Sequence, residues 1–564
     1  MFCRADGTRL VSHSGSVSGD AGTMRFGSSH ASSEVDTSIL PHGTDAEMNR
    51  PTAPTTVLAS IQASSMTREL TQSKQRKLVV AIAFLVFIGI GVSGYFYFSR
   101  KNNAASIQSI AVMPFINERG NADVEYLSDG MTETLMSSLS GLPNLNVKAR
   151  SSVFRYKGTN TNSQTIGKEL NVQAILNGRV VQRGDDVVLY LELVDTQTGN
   201  RIWGDQYNKK LANLVSLQNE IAVDVSQKLR NKLSGPEEQR VTKNYTANSE
   251  AYQLYLKGRF YWNKRTFDDF NRAIPYFQQA IEKDPNYALA YSGLADCYTL
   301  LAVSGVVPPK DMMLQARAAA TRSLALDDGL AEGHASLGEI LSYYDWDFVG
   351  AEREFRRSIG LNPNYATAHQ WLAEQISSLR RHDEALAEIR RALELDPLSL
   401  IVNRVYGDML LNARRYDEAI AQYRKTVEMD PNFPSTHNGL GRAYEIKGMY
   451  DQAVAEYMAV PGPNVSSVER LARQEAYTKS GWRAFLQVGV RNSLERSKKR
   501  YVRSYTIGSF YARLGQKDEA FVWLEKAYQD RDYQMTEISV RPELDPLRSD
   551  PRFADLVKRV GLPQ

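Results

Sequence analysis

The chain has 564 residues, 42% hydrophobic and 23% charged, a globular composition with room for three or four domains at roughly 100–200 residues each. Lys plus Arg is 68 against 64 Asp plus Glu, and the net charge of +4 excludes a globally basic nucleic-acid coat. Two cysteines exclude a disulfide scaffold and a self-contained four-cysteine zinc site, and seven histidines leave little for catalytic metals.

Ser, Thr, Gly and Pro crowd residues 1–77. Large apolar residues there are too sparse to offset chain entropy, so this stretch reads as a low-complexity, flexible cytosolic tail. Its start, Met1-Phe-Cys-Arg-Ala-Asp-Gly-Thr-Arg-Leu10, resembles the second half of a small zinc ribbon, in which a cysteine turn precedes Asp-Gly. A ribbon needs four ligands and only Cys3 is present, so residues 1–10 read as a remnant and not as a working site.

Residues 78–98, LVVAIAFLVFIGIGVSGYFYF, are 21 consecutive uncharged positions. At 1.5 Å per residue they span about 30 Å, the hydrocarbon thickness of a bilayer. The bland alternative is a buried core helix, but such unbroken apolarity is unusual in water-soluble folds. Tyr95 and Tyr97 suit the membrane interface. Arg68, Lys74, Arg76 and Lys77 precede the segment, and Arg100, Lys101 and Arg119 follow it. The basic excess on the first side predicts a single pass through the inner (cytoplasmic) membrane, a cytosolic N-terminus and periplasmic residues 99–564. Gly89-Ile-Gly-Val-Ser-Gly94 is formally a G-x-G-x-x-G, but it lacks the strand and crevice of a dinucleotide site. The Gly89–Ser93 spacing would let two such helices approach in a homodimer, although glycine is common in membrane helices anyway.

Residues 107–233 read as a compact α/β domain. Residues 109–115 are a buried strand ended by proline. A helix opens at Asp123, with Val124, Leu127, Met131, Leu135 and Leu139 on one face. Residues 144–150 form a second strand; 174–181 and 187–193 alternate around Arg183-Gly-Asp-Asp186 as a hairpin, and 201–204 follow another turn. Leu214, Leu217, Ile221, Val225 and Leu229 stripe a closing helix. Asp123, Glu125 and Asp129 crowd a helix start, where the macrodipole favours anions, so an acid/base or metal set is the weaker reading. Asp205 could pair with Arg201 at a strand edge. The segments SIAVMPF, YLSDGMTETLMSSLS, RSSVFRYKG, GKELNVQAILNGRV and LELVDTQTGNRIWGDQY resemble the TolB-type amino-terminal domain. That resemblance implies a small α/β fold that binds or senses and has no established enzymatic chemistry.

A period dominates residues 249–530. Asp284-Pro285-Asn286-Tyr287 recurs as Asn362-Pro363-Asn364-Tyr365, Asp396-Pro397 and Asp430-Pro431-Asn432-Phe433, with 34 residues between Pro363 and Pro397 and again to Pro431. Small–large–small faces such as Ala385, Ile389 and Ala392 precede each break, and pairs such as Leu372-Ala373 or Leu440-Gly441 follow. The pattern resembles the tetratricopeptide repeat, in six or seven copies that weaken between residues 460 and 500, with residues 531–564 as a terminal cap. Such solenoids imply a concave surface that binds protein or peptide segments. His334, His369 and His437 fall at one packing position of successive repeats, too far apart to share an ion.

The whole therefore reads as a membrane-anchored multidomain protein: a small α/β domain plus an all-α tetratricopeptide-repeat solenoid. No P-loop, zincin, nucleophile-elbow or kinase signature occurs, so no enzyme, cofactor or nucleic-acid partner is expected. The first functional expectation is an envelope scaffold. Its groove would present Glu332, Glu339, Gln370, Glu374, Arg404, Asp408, Asn438 and Arg442, with Arg404 and Arg442 gripping a ligand's carboxylates. The second is the sensor part of a transmembrane signalling or transcription-regulatory system. Proteins resembling this one often carry a winged helix, kinase or nucleotide cyclase before the membrane helix. Here a separate partner, or an upstream part of the reading frame, would supply that output.

Overall fold

In the computed structural model, residues 107–121, 124–230, 233–459 and 465–564 are described. The zinc-ribbon-like start, the low-complexity tail and the apolar segment 78–98 lie outside them. Among the described residues, no helix is long and apolar enough to cross a membrane.

The α/β domain is one mixed sheet packed on helices. Its strands are β1 (Ser109–Val112), β2 (Ile116–Asn117), β3 (Asn146–Val147), β4 (Ala174–Arg183), β5 (Asp186–Asp195) and β6 (Arg201–Lys210). The order is β3-β1-β4-β5-β6, with β1 parallel to both neighbours and β4, β5 and β6 an antiparallel meander. The parallel pairs require crossovers, which α1 (Glu125–Ser140) and α2 (Ser163–Leu170) supply. The closing α3 spans Leu214–Arg230 and buries Leu214, Leu217, Ile221, Val225 and Leu229. Sequence periodicity missed β2 and α2: one is two residues long, and the other is short and polar. The hairpin strands run longer than expected because Arg183 and Asp186 still pair across the turn.

Glu125 and Asp129 both bind the Lys157 ammonium, at 2.5 Å for Asp129, so they form an ion cluster in addition to facing the helix start. Asp205 accepts from its neighbour's backbone N–H at Gln206, while Arg201 lies 3.8 Å from Glu192; the suggested Arg201–Asp205 pair is corrected.

The helices then stack in antiparallel pairs: α4 (Ser249–Trp262) with α5 (Phe267–Lys283), α6 (Ala288–Val303) with α7 (Pro309–Leu326), and α8 (Ala331–Ile340) with α9 (Phe348–Leu361). They continue as α10 (Ala366–Ser378) with α11 (His382–Leu395), α12 (Leu400–Asn412) with α13 (Tyr416–Met429), and α14 (Pro434–Ile446) with α15 (Tyr450–Ala459). The long α16 (Ser467–Ser497) breaks at Gly481, and α17 (Ser504–Arg513) with α18 (Lys517–Gln529) resumes the pairing. The turn inside each pair needs one left-handed residue. Trp346, Arg380, Arg414 and Gly448 supply it at steps of 34, with φ of 61°, 64°, 66° and 73°.

Tyr423 of α13 shows why small residues recur. A Cβ at Gly407 would lie 2.5 Å from its ring, and one at Gly439 of the next repeat 2.6 Å. The ring is wedged between two helices that can approach only because both positions lack a side chain. Gly407→Ala is expected to lower stability by about 1–3 kcal/mol, read as a reduced denaturation midpoint. An unchanged midpoint would mean that the ring simply steps aside.

The three histidines each stitch one repeat. His334, His369 and His437 place Nδ1 against Glu354, Glu388 and Glu456 at 2.7, 2.7 and 2.6 Å. Nε2 meets the carbonyls of Asp328, Pro363 and Pro431. Asn403 holds the same register in α12, donating to the Pro397 carbonyl. His382 is half-buried at the start of α11. Desolvation, with Arg380 and Arg414 nearby, lowers its pKa.

Candidate functional site

The α/β domain and the repeats share one hydrophobic core, running from Ile110 and Leu127 through Leu256 and Phe277 to Ile340. Close approach of α1 and α4 starts it: Gly130 leaves room for Leu256, where a Cβ would meet the side chain at 2.8 Å. The segment after β3, which includes a short helix at Arg150–Val153, then lies along the Asp-Pro turns of the repeats. Lys148 donates to the Glu394 carbonyl at 2.6 Å, the Ala149 N–H to that of Leu395 at 2.9 Å, and Arg155 to that of Met429 at 2.9 Å. Ser152 donates to the buried Asp396 at 2.5 Å and accepts from the Leu398 N–H at 2.9 Å. Asn364 donates to the carbonyls of Ser140 and Leu145.

Where these contacts stop, a hollow of about 1320 Å³ remains between the two domains. One wall is α1 and the segment after β3, including Glu133, Ser137 and Arg150; the other is the repeats, including Arg259, Trp262, Asp296, Glu332 and Gln370. Glu133 is the hinge of its charge pattern. Arg259 grips it through Nε at 2.8 Å and through Nη2, and Asn263 donates to it at 2.6 Å. Burial pushes the Glu133 carboxyl up, but Arg259 and Arg150 outweigh that and hold it below the usual range. Opposite charges so paired leave Arg259 neutralised within the fold. The carboxyls on the repeat side behave differently. Burial raises Glu332, and it raises Asp296 to about 6.

The eight groove residues expected from sequence divide. Glu332 and Gln370 line the hollow, and Ser137 donates to Glu332 at 3.3 Å. Glu339 is buried beside it, with Oε2 unpaired. Asn438 is exposed. Glu374, Arg404 and Asp408 line a separate cavity of about 50 Å³, closed by Tyr533, Glu537 and Arg541 of the C-terminal segment. There Asp408 binds Arg404 and, at 3.0 Å, Arg442, and Arg442 also lies 3.7 Å from Glu543. The expectation that Arg404 and Arg442 grip a ligand is corrected for a physical reason: the chain's own Asp408 and Glu543 already do so. The covering segment is firmly held, since Met535, Ile538, Leu544 and Leu547 are buried with Trp346 and Phe348.

The residues that shape the hollow most, Glu133, Arg259, Trp262 and Arg265, were missed from sequence. The local signal was the basic–aromatic run Arg259-Phe-Tyr-Trp-Asn-Lys-Arg265, whose meaning depends on a domain docking 130 residues away in the chain.

Residues 262–301, 377–434 and 406–464 match one family described as tetratricopeptide repeat, and 504–529 match another of the same description. The chain therefore carries tetratricopeptide repeats, whose common role is protein–protein interaction. Residues 106–223 match a family described as HilA/YgeH-like transcriptional regulator, second domain. A Rhizobium meliloti (strain 1021) protein provisionally named adenylate cyclase 3 is 30% identical over 245 residues, 42% of this chain and 40% of that protein. The transcriptional regulator HilA of Salmonella typhimurium (strain LT2) is 24% identical over 137 residues, 24% of this chain and 25% of the regulator. The chain thus spans well under half the length of these relatives. Among solved structures, a thermophilic tetratricopeptide-repeat protein of Thermus thermophilus is similar at a TM-score of 0.29 and 20% identity, over 36% of this chain and 98% of that one. YrrB, titled a tetratricopeptide-repeat protein with an unusual peptide-binding site, is similar at a TM-score of 0.24 and 22% identity, over 32% and 90%.

Proposed function

We propose that this chain is the ligand-reading part of a bacterial signalling system, tethered by residues 78–98 to the cytoplasmic membrane, with a TolB-type α/β domain and the repeats on the periplasmic side. The carrying observation is the hollow itself, whose walls come from two domains. An occupant touching both walls binds one docking geometry better than any other, and such differential affinity is what a receptor needs to shift a population. The names borne by the relatives, a cyclase and a transcriptional regulator, favour signalling, and both share only a fraction of their length with this chain. The open-groove scaffold is the weaker reading, because Arg404 and Arg442 are spent on internal pairs. Binding, not catalysis, is the assigned role.

Two experiments test it. Protease added to spheroplasts should digest the repeats and spare an N-terminal tag; surviving repeats with a cut tag would invert the topology and favour a cytosolic scaffold. A photo-crosslinking residue at Thr367, on the wall of the hollow, should capture a cellular partner or ligand, whereas one at Val349, 81% exposed on α9, should not. The reverse result would move binding to the outer surface.

A further inference from the structure

The wall of the hollow holds N–H donors that the protein does not satisfy. Arg265 sits in the turn between α4 and α5, with a left-handed φ of 59°. Its guanidinium lies 3.5 Å over the Trp262 ring, and that of Arg259 lies 4.0 Å over the same ring. Arg259 is neutralised by Glu133. Among the described residues, Arg265 has neither an ion-pair partner nor a side-chain hydrogen bond, although it is open to water and lines the hollow. Trp262 is 4% exposed, and its indole Nε1–H has no acceptor. Arg150 Nε is buried and likewise lacks a hydrogen bond, lying 3.5 Å from Glu133. Two buried donors without acceptors, on Trp262 and Arg150, thus border the same hollow as the exposed, unpaired Arg265, although buried polar groups are nearly always paired.

The neighbouring acids do not supply the missing acceptor. Asp296 is committed to Ser336 at 2.5 Å. Burial raises it and Glu339 above the ordinary carboxyl range, and neither forms an ion pair with Arg265 among the described residues. The walls of the hollow also carry Tyr252, Phe270, Tyr365 and Trp371.

We propose that this part of the hollow is an anion subsite. It takes the carboxylate or phosphate of a small ligand on Arg265 and the Trp262 N–H, with the ligand's flat apolar body against the aromatic side chains. Guanidinium forks suit both oxyanions, and a desolvated charge-assisted bond is roughly twice as strong as a neutral one. This rests on the hollow being the ligand site.

The test is calorimetric titration of the full chain in detergent with benzoate, phenyl phosphate and benzyl alcohol. At least one of the anions should bind saturably and at least tenfold more tightly than the neutral alcohol, and whichever anion binds more tightly identifies the oxyanion. Arg265→Gln should weaken it tenfold or more, Arg265→Lys should restore part of the loss, and Trp262→Phe should weaken it severalfold while keeping the ring. Ser137→Trp, which fills the hollow from α1, should abolish binding. Loss in Ser137→Trp with no change in Arg265→Gln would keep the hollow as a site and overturn the anion subsite. Anions binding no better than benzyl alcohol to the unaltered chain would overturn it as well. Weakening by Arg265→Gln with none from Ser137→Trp would overturn its assignment to the hollow.

Discussion

Asp408→Ala is expected to destabilise the protein by about 3–5 kcal/mol, the cost of removing one partner from a buried ion cluster. Asp408 is 4% exposed, and it accepts from Arg404, Arg442 and the Tyr423 hydroxyl. Burial pushes its carboxyl up, but Arg404 and Arg442 more than offset this and hold it below the ordinary range. With alanine there, Arg404 faces a space walled by Tyr533, Glu537 and Arg541, and both it and Arg442 lose their shared counter-charge. The C-terminal segment should therefore loosen first, seen as faster amide hydrogen exchange over residues 533–547 and a lower denaturation midpoint. The pH dependence follows from the depressed pKa. The stabilisation exists above the carboxyl's unfolded pKa and is lost as pH falls through its folded value, so the two proteins should converge in acid. A loss under about 1 kcal/mol would mean that the arginines are free after all, and would return them to the list of ligand residues.

Those arginines show how far sequence carries. The 34-residue spacing identified the helix pairs, and the small residues of each pair pointed to close helix contacts such as those around Tyr423. Placing Glu332 and Gln370 on the inner face was equally a matter of period, because one register fixes every repeat. What the period could not say is what else lies on that face. Arg442 meets Glu543 because residues 533–547 fold back over α10 and α14, and that segment has no repeat of its own to reveal its position. Glu133 meets Arg259 only because Gly130 lets α1 settle on Leu256. Contacts of this kind join elements more than 100 residues apart, and neither hydrophobic pattern nor turn chemistry encodes them singly. The left-handed turn residues were a different miss: arginine at 265, 380 and 414 gives no glycine-like signal for a positive φ, and helix packing imposes it.

Asp296→Asn is expected to do the opposite of Asp408→Ala and stabilise the protein at neutral pH. Asp296 is 3% exposed on α6, and one of its oxygens accepts from the Ser336 hydroxyl. Burial lifts its pKa from 3.8 to about 6, with Ser336, Arg259 and Arg265 pulling the other way. That rise corresponds to about 3 kcal/mol of penalty on the ionised form. The sign is fixed by proton affinity: the folded state binds the proton more tightly than the unfolded chain. Stability is therefore fully present below about pH 4 and is lost as pH rises through about 6. Asparagine keeps an acceptor for Ser336 and cannot ionise. The variant should gain up to about 3 kcal/mol at pH 7.5, roughly half of that or less near pH 5, and nothing near pH 3.5. Denaturation midpoints at the three pH values check this; a difference that stays flat with pH would mean that Asp296 ionises as an ordinary carboxyl. Asp296 also lines the hollow near Arg265, so an anion held there should raise its pKa further. Ligand binding at pH 6 should then take up protons in the unaltered chain and take up fewer in Asp296→Asn, which titration in buffers of different ionisation enthalpy would read directly.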